Sequence, residues 1–275
     1  MATVSNGSRT AEVLSFIRCP LTLAKGVEEL RAEFGSAYPY PHLVLDNLFP
    51  EDLLSAMLDE LPPPTSEKWV HERRDRLVKS NLRSAVDLGD RAYEFASAVH
   101  SAGFLYFLSE ITGVKSLVPD PYLSGAGFHV VPAGGLFDLH ADRNTDFHTG
   151  LERRLVMLLY LNKGWKTEYG GQLELWNQEA TKCEKVVDPI FNRAVIFEIG
   201  DKNFHADRPV DPKFGLSRKT FVTYFHTVGK DVVPHSSIFA PSIYQNKPSL
   251  VKRIAREVLP PFLMNILRKG VSGGY

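Results

Sequence analysis

This 275-residue chain contains little cysteine and has no formal net charge. Its cysteines are Cys19 and Cys183, and they have no metal-binding spacing. A disulfide between them is left open, but two reduced thiols are the simpler interpretation. Basic and acidic residues number 32 each, so the formal net charge is zero. This balance argues against bulk electrostatic attraction to nucleic acid, and we expect no nucleic-acid partner.

Long apolar runs, internal repeats and low-complexity tracts are also missing. No apolar stretch is long enough to span a bilayer, so we expect no transmembrane segment. The opening MATVSNGSRTAEVL has no basic start followed by an apolar run, and we therefore expect no secretory signal. The hydrophobic content of 44% and the charged content of 23% are those of a folded globular protein. Together these observations predict a cytoplasmic protein.

The first 121 residues mix helix and strand patterns. Residues 42–45 predict a strand, and the apolar spacing from Leu53 to Leu61 predicts a helix with one buried face. A longer helix is predicted over residues 90–112, ending at Gly113. The charged segment 67–87 has two interpretations: a solvated strand or loop, or a loop at the mouth of a site that contributes an arginine to the substrate.

From residue 122 the pattern changes to short apolar runs separated by turn residues. Strands are predicted at residues 128–131, 136–140, 155–161, 172–176, 185–187, 194–199 and 220–225. This spacing is typical of a sandwich or barrel, and a jelly roll fits it. Apolar residues from Leu250 to Leu267 then recur at helical spacing, with basic residues on the other side. Such a tail can dock on its own domain, on a second subunit or on a membrane surface.

Two histidines and a carboxylate are the candidate metal ligands. His140 and Asp142 are two residues apart on an extended segment, so their side chains point the same way and can chelate one ion. His205 would join them from another strand of an antiparallel sheet. Two imidazoles and one carboxylate suit ferrous iron and leave positions open for a cosubstrate and dioxygen. Other histidines compete for these positions: His129, His148 and His226.

The order of the surrounding sequence blocks carries a family resemblance. His140-x-Asp142, His205 and Arg218 occur together with three further blocks: Leu159-Tyr160-Leu161-Asn162 before Trp165, Gly170-Gly171-Gln172-Leu173 before Leu175-Trp176, and Asn192-Arg193-Ala194-Val195-Ile196-Phe197. In this order, residues 122–227 resemble the 2-oxoglutarate- and Fe(II)-dependent dioxygenases, in particular their prolyl-hydroxylase-like branch.

The resemblance implies an α+β protein with a double-stranded β-helix core, a cupin-like jelly roll. Residues 1–121 would be a helical and strand support region, 122–230 the catalytic core and 231–275 a C-terminal amphipathic helical tail, within a single catalytic domain. The resemblance also implies that His140, Asp142 and His205 hold Fe(II).

The 2-oxoglutarate site follows from the same resemblance. Arg218, Thr220 and Tyr160 would hold the far carboxylate, and Leu158 and Tyr224 would line the pocket. The segment from His205 to Arg218 is a few residues longer than in many family members, so Arg208 competes with Arg218. Arg218 is preferred because it directly precedes an apolar strand.

The implied function is hydroxylation of an unactivated C–H bond with release of succinate and CO2. The cofactors would be Fe(II), 2-oxoglutarate and dioxygen, with ascorbate as a further candidate. The substrate class stays open among small molecules, amino acids and prolyl-type peptides, and loop 143–154 is expected to help select it. The alternatives are another oxidation by the same core, such as desaturation, epimerisation or ring formation, and a non-catalytic cupin-like binding protein.

Overall fold

The computed structural model describes residues 10, 11, 14, 21–82, 87–120, 122–229 and 233–244. Its helices are α1 (Val27–Ser36), α2 (Glu51–Asp59), α3 (Asp90–Val99) and α4 (Ala102–Thr112). Its strands are β1 (His42–Asp46), β2 (Val70–Arg74), β3 (Leu77–Leu82), β4 (Gly127–Val131), β5 (Phe137–Ala141), β6 (Glu152–Tyr160), β7 (Leu173–Trp176), β8 (Cys183–Val187), β9 (Arg193–Glu198), β10 (His205–Asp207), β11 (Arg218–Thr227) and β12 (Ile238–Phe239).

All these strands join one antiparallel sheet. Its order is β1-β9-β6-β11-β4-β3-β5-β10-β7-β8, with β2 added to β3 and β12 added to β5. Strands distant in sequence are therefore neighbours, as the sheet winds into the predicted jelly roll. The predicted strands from residue 128 to residue 225 are all present, with small shifts at their ends.

The helices cover one face of the sheet through aromatic side chains. Phe95 of α3 packs edge-to-face on Phe221 of β11, with ring centroids 5.3 Å apart. Phe49 contacts Phe95, and Phe128 contacts Phe221, in the same edge-to-face geometry. Because Phe221 is fully buried at the centre of this cluster, its truncation to alanine would cost about 3–5 kcal/mol.

The helix predicted over residues 90–112 is two helices. The first ends at Val99, and Ser101 has an extended backbone. The Ser101 side chain accepts a hydrogen bond from the Phe104 amide and caps the second helix. Gly113, in the left-handed region at φ 78°, ends it as predicted. Periodicity continues across the break, and for this reason the single-helix prediction was wrong.

Within the charged segment 67–87, residues 70–82 form the hairpin of β2 and β3. β3 pairs with β4, placing Asn81 opposite His129, and Leu77 lies opposite Phe137 of β5. β2 is largely exposed, as the solvated-strand interpretation predicts. The hairpin is nevertheless part of the same sheet as the predicted metal ligands.

The loop after β5 is shorter than the predicted 143–154, because β6 begins at Glu152. Charged residues at the start of this strand are paired across the sheet, with Arg154 Nη2 2.7 Å from Glu198 Oε1 of β9. The run of charged residues therefore did not correctly predict where the loop ends.

Contacts divide the chain into two units, Met1–Pro241 and Ser242–Tyr275. Strand β12 lies in the first unit, within the range 231–275 that was assigned to the tail. The amphipathic pattern from Leu250 to Leu267 lies outside the described residues, as does Cys19, whereas Cys183 is a free thiol. Among the described helices, none combines the length and the apolar character that a membrane crossing requires.

Candidate functional site

The sheet brings the three predicted metal ligands together. His205 of β10 lies directly opposite His140 of β5 in the antiparallel register, and Asp142 follows the last residue of β5. One ligand atom from each of the three side chains lies within 4.8 Å of the other two. The Asp142 Oδ1 atom is 3.4 Å from His140 Nε2 and 3.9 Å from His205 Nε2. All three side chains are buried.

Backbone carbonyls orient both imidazoles. The His140 Nδ1 atom lies 2.8 Å from the Asp138 carbonyl, and His205 Nδ1 lies 3.2 Å from the Asn203 carbonyl. A carbonyl can only accept, so each Nδ1 carries the hydrogen and each Nε2 presents a lone pair. Within the described residues, His140 Nε2 has no hydrogen-bond partner although it is buried. This arrangement fits the binding of a cation.

The protonation states also suit a cation. Burial raises the pKa of Asp142, but the neighbouring His205 and His140 together hold this pKa well below its usual range. Burial and the neighbouring His140 lower the pKa of His205 to about 4. At neutral pH the site therefore offers an ionised carboxylate and a neutral His205 imidazole, which are the forms that bind metals.

A small cavity extends from these ligands toward Arg218 and is lined by residues of several strands. Thr220 of β11 lies directly opposite Tyr160 of β6, and Val222 lies opposite Leu158. Thr220 Oγ1 and the Tyr160 hydroxyl are buried, and neither has a hydrogen-bond partner in the part of the chain that the structure describes. Two unsatisfied hydroxyls beside a buried guanidinium are suited to an anionic ligand.

Arg218 is held by groups that the sequence did not reveal. Its Nη2 donates to Asp207 Oδ2 at 2.7 Å, and its Nη1 donates to the Gly171 carbonyl at 3.2 Å. Burial lowers the pKa of Arg218, but the ion pair with Asp207 raises this pKa above its ordinary value. The one signal for Asp207 was its position two residues after His205, on the same strand.

The Gly170-Gly171 turn explains one of the family-like blocks. Both glycines have a φ of 73°, which disfavours a side chain. A Cβ atom at Gly171 would lie 3.3 Å from Arg218 Cδ, and one at Gly170 would lie 2.2 Å from the Pro209 carbonyl oxygen. The turn therefore lets the backbone approach the buried arginine.

Asn192 accounts for a second family-like block, residues 192–197, because its side chain links two parts of the fold. Its side chain makes two hydrogen bonds to the Phe49 backbone, at 3.1 and 2.6 Å, and so ties the turn before β9 to the start of α2.

The rival arginine points elsewhere. The Arg208 Nε atom donates to Glu174 Oε1 at 2.5 Å, its side chain is 40% exposed, and it does not line the cavity. The geometry therefore favours Arg218, which is 3% exposed, as the cation of this site. His129 lines the cavity, where burial together with Lys79 and Arg218 holds its pKa well below the ordinary value.

A larger outer cavity of about 830 Å³ opens beside the metal ligands. It shares Asp142, Tyr224, Phe137 and Lys79 with the inner cavity. Its wall also includes charged residues from the β2–β3 hairpin and from the region around the β5–β6 loop: Glu72, Arg74, Arg143 and Arg153. The hairpin places Lys79 at the junction of the two cavities and Arg74 in the wall of the outer cavity.

Comparison with known proteins agrees with this site. Residues 126–226 match the 2OG-Fe(II) oxygenase superfamily. The mouse prolyl 3-hydroxylase OGFOD1 is 28% identical over 176 residues, which cover 61% of this chain and 29% of that protein.

Two solved structures share the fold. A Pseudomonas putida prolyl-4-hydroxylase has a TM-score of 0.54 at 18% identity, covering 74% of this chain and 100% of that one. A Burkholderia pseudomallei oxidoreductase of the 2OG-Fe(II) oxygenase family has a TM-score of 0.52 at 13% identity, covering 76% and 93%. At these identities the likeness concerns the fold, a double-stranded β-helix.

Residues 126–226 of this chain match the 2OG-Fe(II) oxygenase superfamily, and the double-stranded β-helix and the His-Asp-His cluster agree with that match. Fe(II) and 2-oxoglutarate are the cofactors that the resemblance implies. The predicted family and fold class are thereby confirmed.

Proposed function

We propose that this protein hydroxylates an unactivated C–H bond of an amino acid, a prolyl-type peptide or another small polar molecule, releasing succinate and CO2. One observation carries the proposal. Buried imidazole and carboxylate groups converge beside a cavity that is also lined by the buried Arg218 and by Thr220, whose hydroxyl has no partner among the described residues.

His140, Asp142 and His205 are the proposed iron ligands, with both imidazoles coordinating through Nε2. Bound Fe(II) supplies dioxygen activation and the oxidative decarboxylation of 2-oxoglutarate. The protein's part is to hold the ligand atoms in place. The paired strands β5 and β10 do this, because their register sets the two imidazoles opposite each other.

Arg218, Thr220 and Tyr160 are the proposed partners of the far carboxylate of 2-oxoglutarate. Arg218 supplies the charge, and the two hydroxyls supply donors that otherwise have no partner among the described residues. Asp207 fixes the guanidinium through its ion pair, so the buried Nε edge remains for the ligand. Leu158 and Tyr224 line the space and exclude water.

The substrate is proposed to bind in the outer cavity. Its charged lining, with arginines and Lys79 near Glu72 and Asp142, suits a zwitterionic or carboxylate-bearing molecule. The names of the mouse and Pseudomonas relatives, a prolyl 3-hydroxylase and a prolyl-4-hydroxylase, support a prolyl group as the first candidate.

A succinate assay tests the reaction. Free amino acids, prolyl peptides and small metabolites are supplied with Fe(II), 2-oxoglutarate and dioxygen, and succinate and the oxidised product are measured. We expect substrate-stimulated succinate that needs Fe(II), is lost in Asp142→Ala and is kept in Asp59→Ala, an exposed carboxylate at the end of α2. Absence of both succinate formation and 2-oxoglutarate binding would overturn the proposal in favour of a non-catalytic binding protein.

The mass of the product separates hydroxylation from the other oxidations. A gain of one oxygen atom supports hydroxylation, whereas a loss of two hydrogens indicates desaturation or ring formation. Lys79→Met tests the substrate side. We expect the KM for a carboxylate-bearing substrate to rise about tenfold, with the KM for 2-oxoglutarate changed far less. The opposite pattern would move Lys79 to the cosubstrate.

A further inference from the structure

A second buried cluster lies outside the proposed iron site. Asp120, Asp146 and His226 each offer one ligand atom, and these atoms all lie within 4.8 Å of one another. The three residues are at most 3% exposed, with His226 at 1%. Asp120 comes from the segment between α4 and β4, Asp146 from the β5–β6 loop, and His226 from β11.

His226 is the unusual member of this cluster. Both of its ring nitrogens are buried, and neither has a hydrogen-bond partner among the residues described. A neutral imidazole has one donor and one acceptor, so leaving both unsatisfied is unfavourable.

The two carboxylates are anchored but not fully used. Asp120 accepts hydrogen bonds from the amides of Tyr122 and Ser124, at 3.0 and 2.8 Å. Asp146 Oδ1 accepts from the backbone and side chain of Thr149. Asp146 Oδ2 has no hydrogen-bond partner within the described ranges of the chain. These backbone bonds fix the carboxylates so that they face His226.

Arg153 is a positively charged residue beside this cluster, but it makes no hydrogen bond to the unpartnered oxygen of Asp146. Its Nη2 donates to the Ser124 carbonyl, and its guanidinium lies over the Tyr224 ring, 4.0 Å from the centroid. The distance from Arg153 Nη2 to Asp146 Oδ2 is 3.9 Å, longer than a hydrogen bond. One guanidinium lies beside two buried carboxylates, so a bound cation would supply the positive charge that pairs with the second carboxylate.

We infer that Asp120, Asp146 and His226 bind a second divalent transition-metal cation, of the Zn²⁺ or Mn²⁺ class. One imidazole with two carboxylates is a ligand set that these ions accept. The segments carrying Asp120 and Asp146 also supply Tyr122, Ser124, Phe147 and His148 to the wall of the outer cavity. A cation here joins these two segments to the end of β11 and fixes the shape of the proposed substrate pocket.

Metal counting tests the inference independently of any oxidation reaction. The full-length protein is stripped with a chelator, reloaded with Zn²⁺, desalted and analysed for zinc per chain. We expect about two zinc ions in the wild type and about one in His226→Gln and in Asp120→Asn. His148→Gln, a matched change of an exposed histidine from the β5–β6 loop, should keep both. Circular dichroism checks that each variant is folded, and Asp120→Asn serves if His226→Gln is not.

A second measurement isolates the new site. In the Asp142→Ala/His205→Ala double variant only the second cluster remains, so zinc should bind at about one per chain. Zinc should then slow amide hydrogen exchange in residues 118–125 and 143–150. A wild type that holds a single zinc ion, or a count that His226→Gln and Asp120→Asn leave unchanged, would overturn the inference.

Discussion

The described part of the chain contains two buried clusters of histidine and aspartate, and they are built differently. In the first, His140 and His205 are cross-strand partners, and each uses its Nδ1 hydrogen on a backbone carbonyl. In the second, Asp120 and Asp146 come from two loops and are fixed by amides, whereas both nitrogens of His226 are without a hydrogen-bond partner in the described structure. The first cluster orients its imidazoles, and the second orients its carboxylates.

The difference indicates different tasks. A site on paired strands keeps its geometry, and this one opens into a cavity lined by the buried Arg218, as the proposed binding of 2-oxoglutarate requires. A site that joins two loops to a strand changes the order of those loops when it is filled. We therefore expect the first cluster to govern turnover and the second to govern the substrate-side wall.

Replacing one histidine in each cluster with alanine should give the largest difference between the two clusters in iron binding and succinate formation. His205→Ala should lower Fe(II)-dependent succinate formation at least about 100-fold, because loss of an oriented ligand exceeds the effect of losing its supporting hydrogen bond. His226→Ala should leave the iron content of the first site intact and lower the melting temperature. If iron binding disappears in His226→Ala while His205→Ala retains it, the assignment of the two clusters is reversed.

Arginine substitutions test whether an anion site belongs to the first cluster. Arg218→Gln should raise the KM for 2-oxoglutarate about 10- to 100-fold, since a buried charged hydrogen bond is lost. Arg208→Gln is the matched control, because its side chain pairs with Glu174 outside the cavity. Steady-state kinetics with varied 2-oxoglutarate measures both. A larger effect at Arg208 would contradict the geometry.

Asp207→Asn sharpens the description of that anion site. Both carboxylate oxygens contact the guanidinium, with Oδ2 2.7 Å from Nη2 and Oδ1 2.5 Å from Nη1, and the amide keeps only one acceptor for these two donors. Because the guanidinium is then held less firmly, we expect the KM for 2-oxoglutarate to rise about threefold, a difference well under 1.4 kcal/mol. A fall in this KM would mean that the negative charge of Asp207 chiefly repels the incoming dicarboxylate.

His42 offers a buried imidazole outside both clusters in which both nitrogens are satisfied. Its Nδ1 lies 2.8 Å from the Tyr40 carbonyl, and Lys185 Nζ lies 2.8 Å from its Nε2. Burial is the main cause that lowers the pKa of His42. The unfolded state then binds the proton first, so stability present above the unfolded pKa of about 6.5 is lost as the pH falls toward the folded pKa.

Urea unfolding of metal-free protein at pH 7.5 and 5.5 measures this contribution. His42→Gln should reduce the acid destabilisation, by at most about 1.4 kcal/mol per pH unit. An unchanged pH dependence would show that other groups cause it.

Much of the sheet was predictable, because each strand leaves a local signal. Residues 128–131 and 172–176 show apolar runs or alternation between turn residues, and both are strands. The break at Ser101 could not be predicted, since the apolar spacing continues through it. Strands β10 and β12 are three and two residues long, and they exist only through pairing with β5 and β7, which no local pattern reports.

The candidate site also has residues that the sequence predicted and residues that it did not. The order of sequence blocks pointed to His140, Asp142, His205 and Arg218, and the structure brings all four to one region. Lys79 was hidden within a run of mixed charge, because its direction depends on the register of β3 against β4. The second cluster draws on three segments more than 20 residues apart, so spacing alone could not identify it.

Strand β5 has a further consequence, because it is hydrogen-bonded along both edges. Beside its pairing with β10, Ile238 and Phe239 of β12 lie opposite Ala141 and His140, and the Ala240 amide donates to the Leu139 carbonyl. The strand that carries His140 is thus held by hydrogen bonds to neighbouring strands on both sides. Loading of the ion should therefore proceed without coupled folding, and calorimetry should record only a small change in heat capacity.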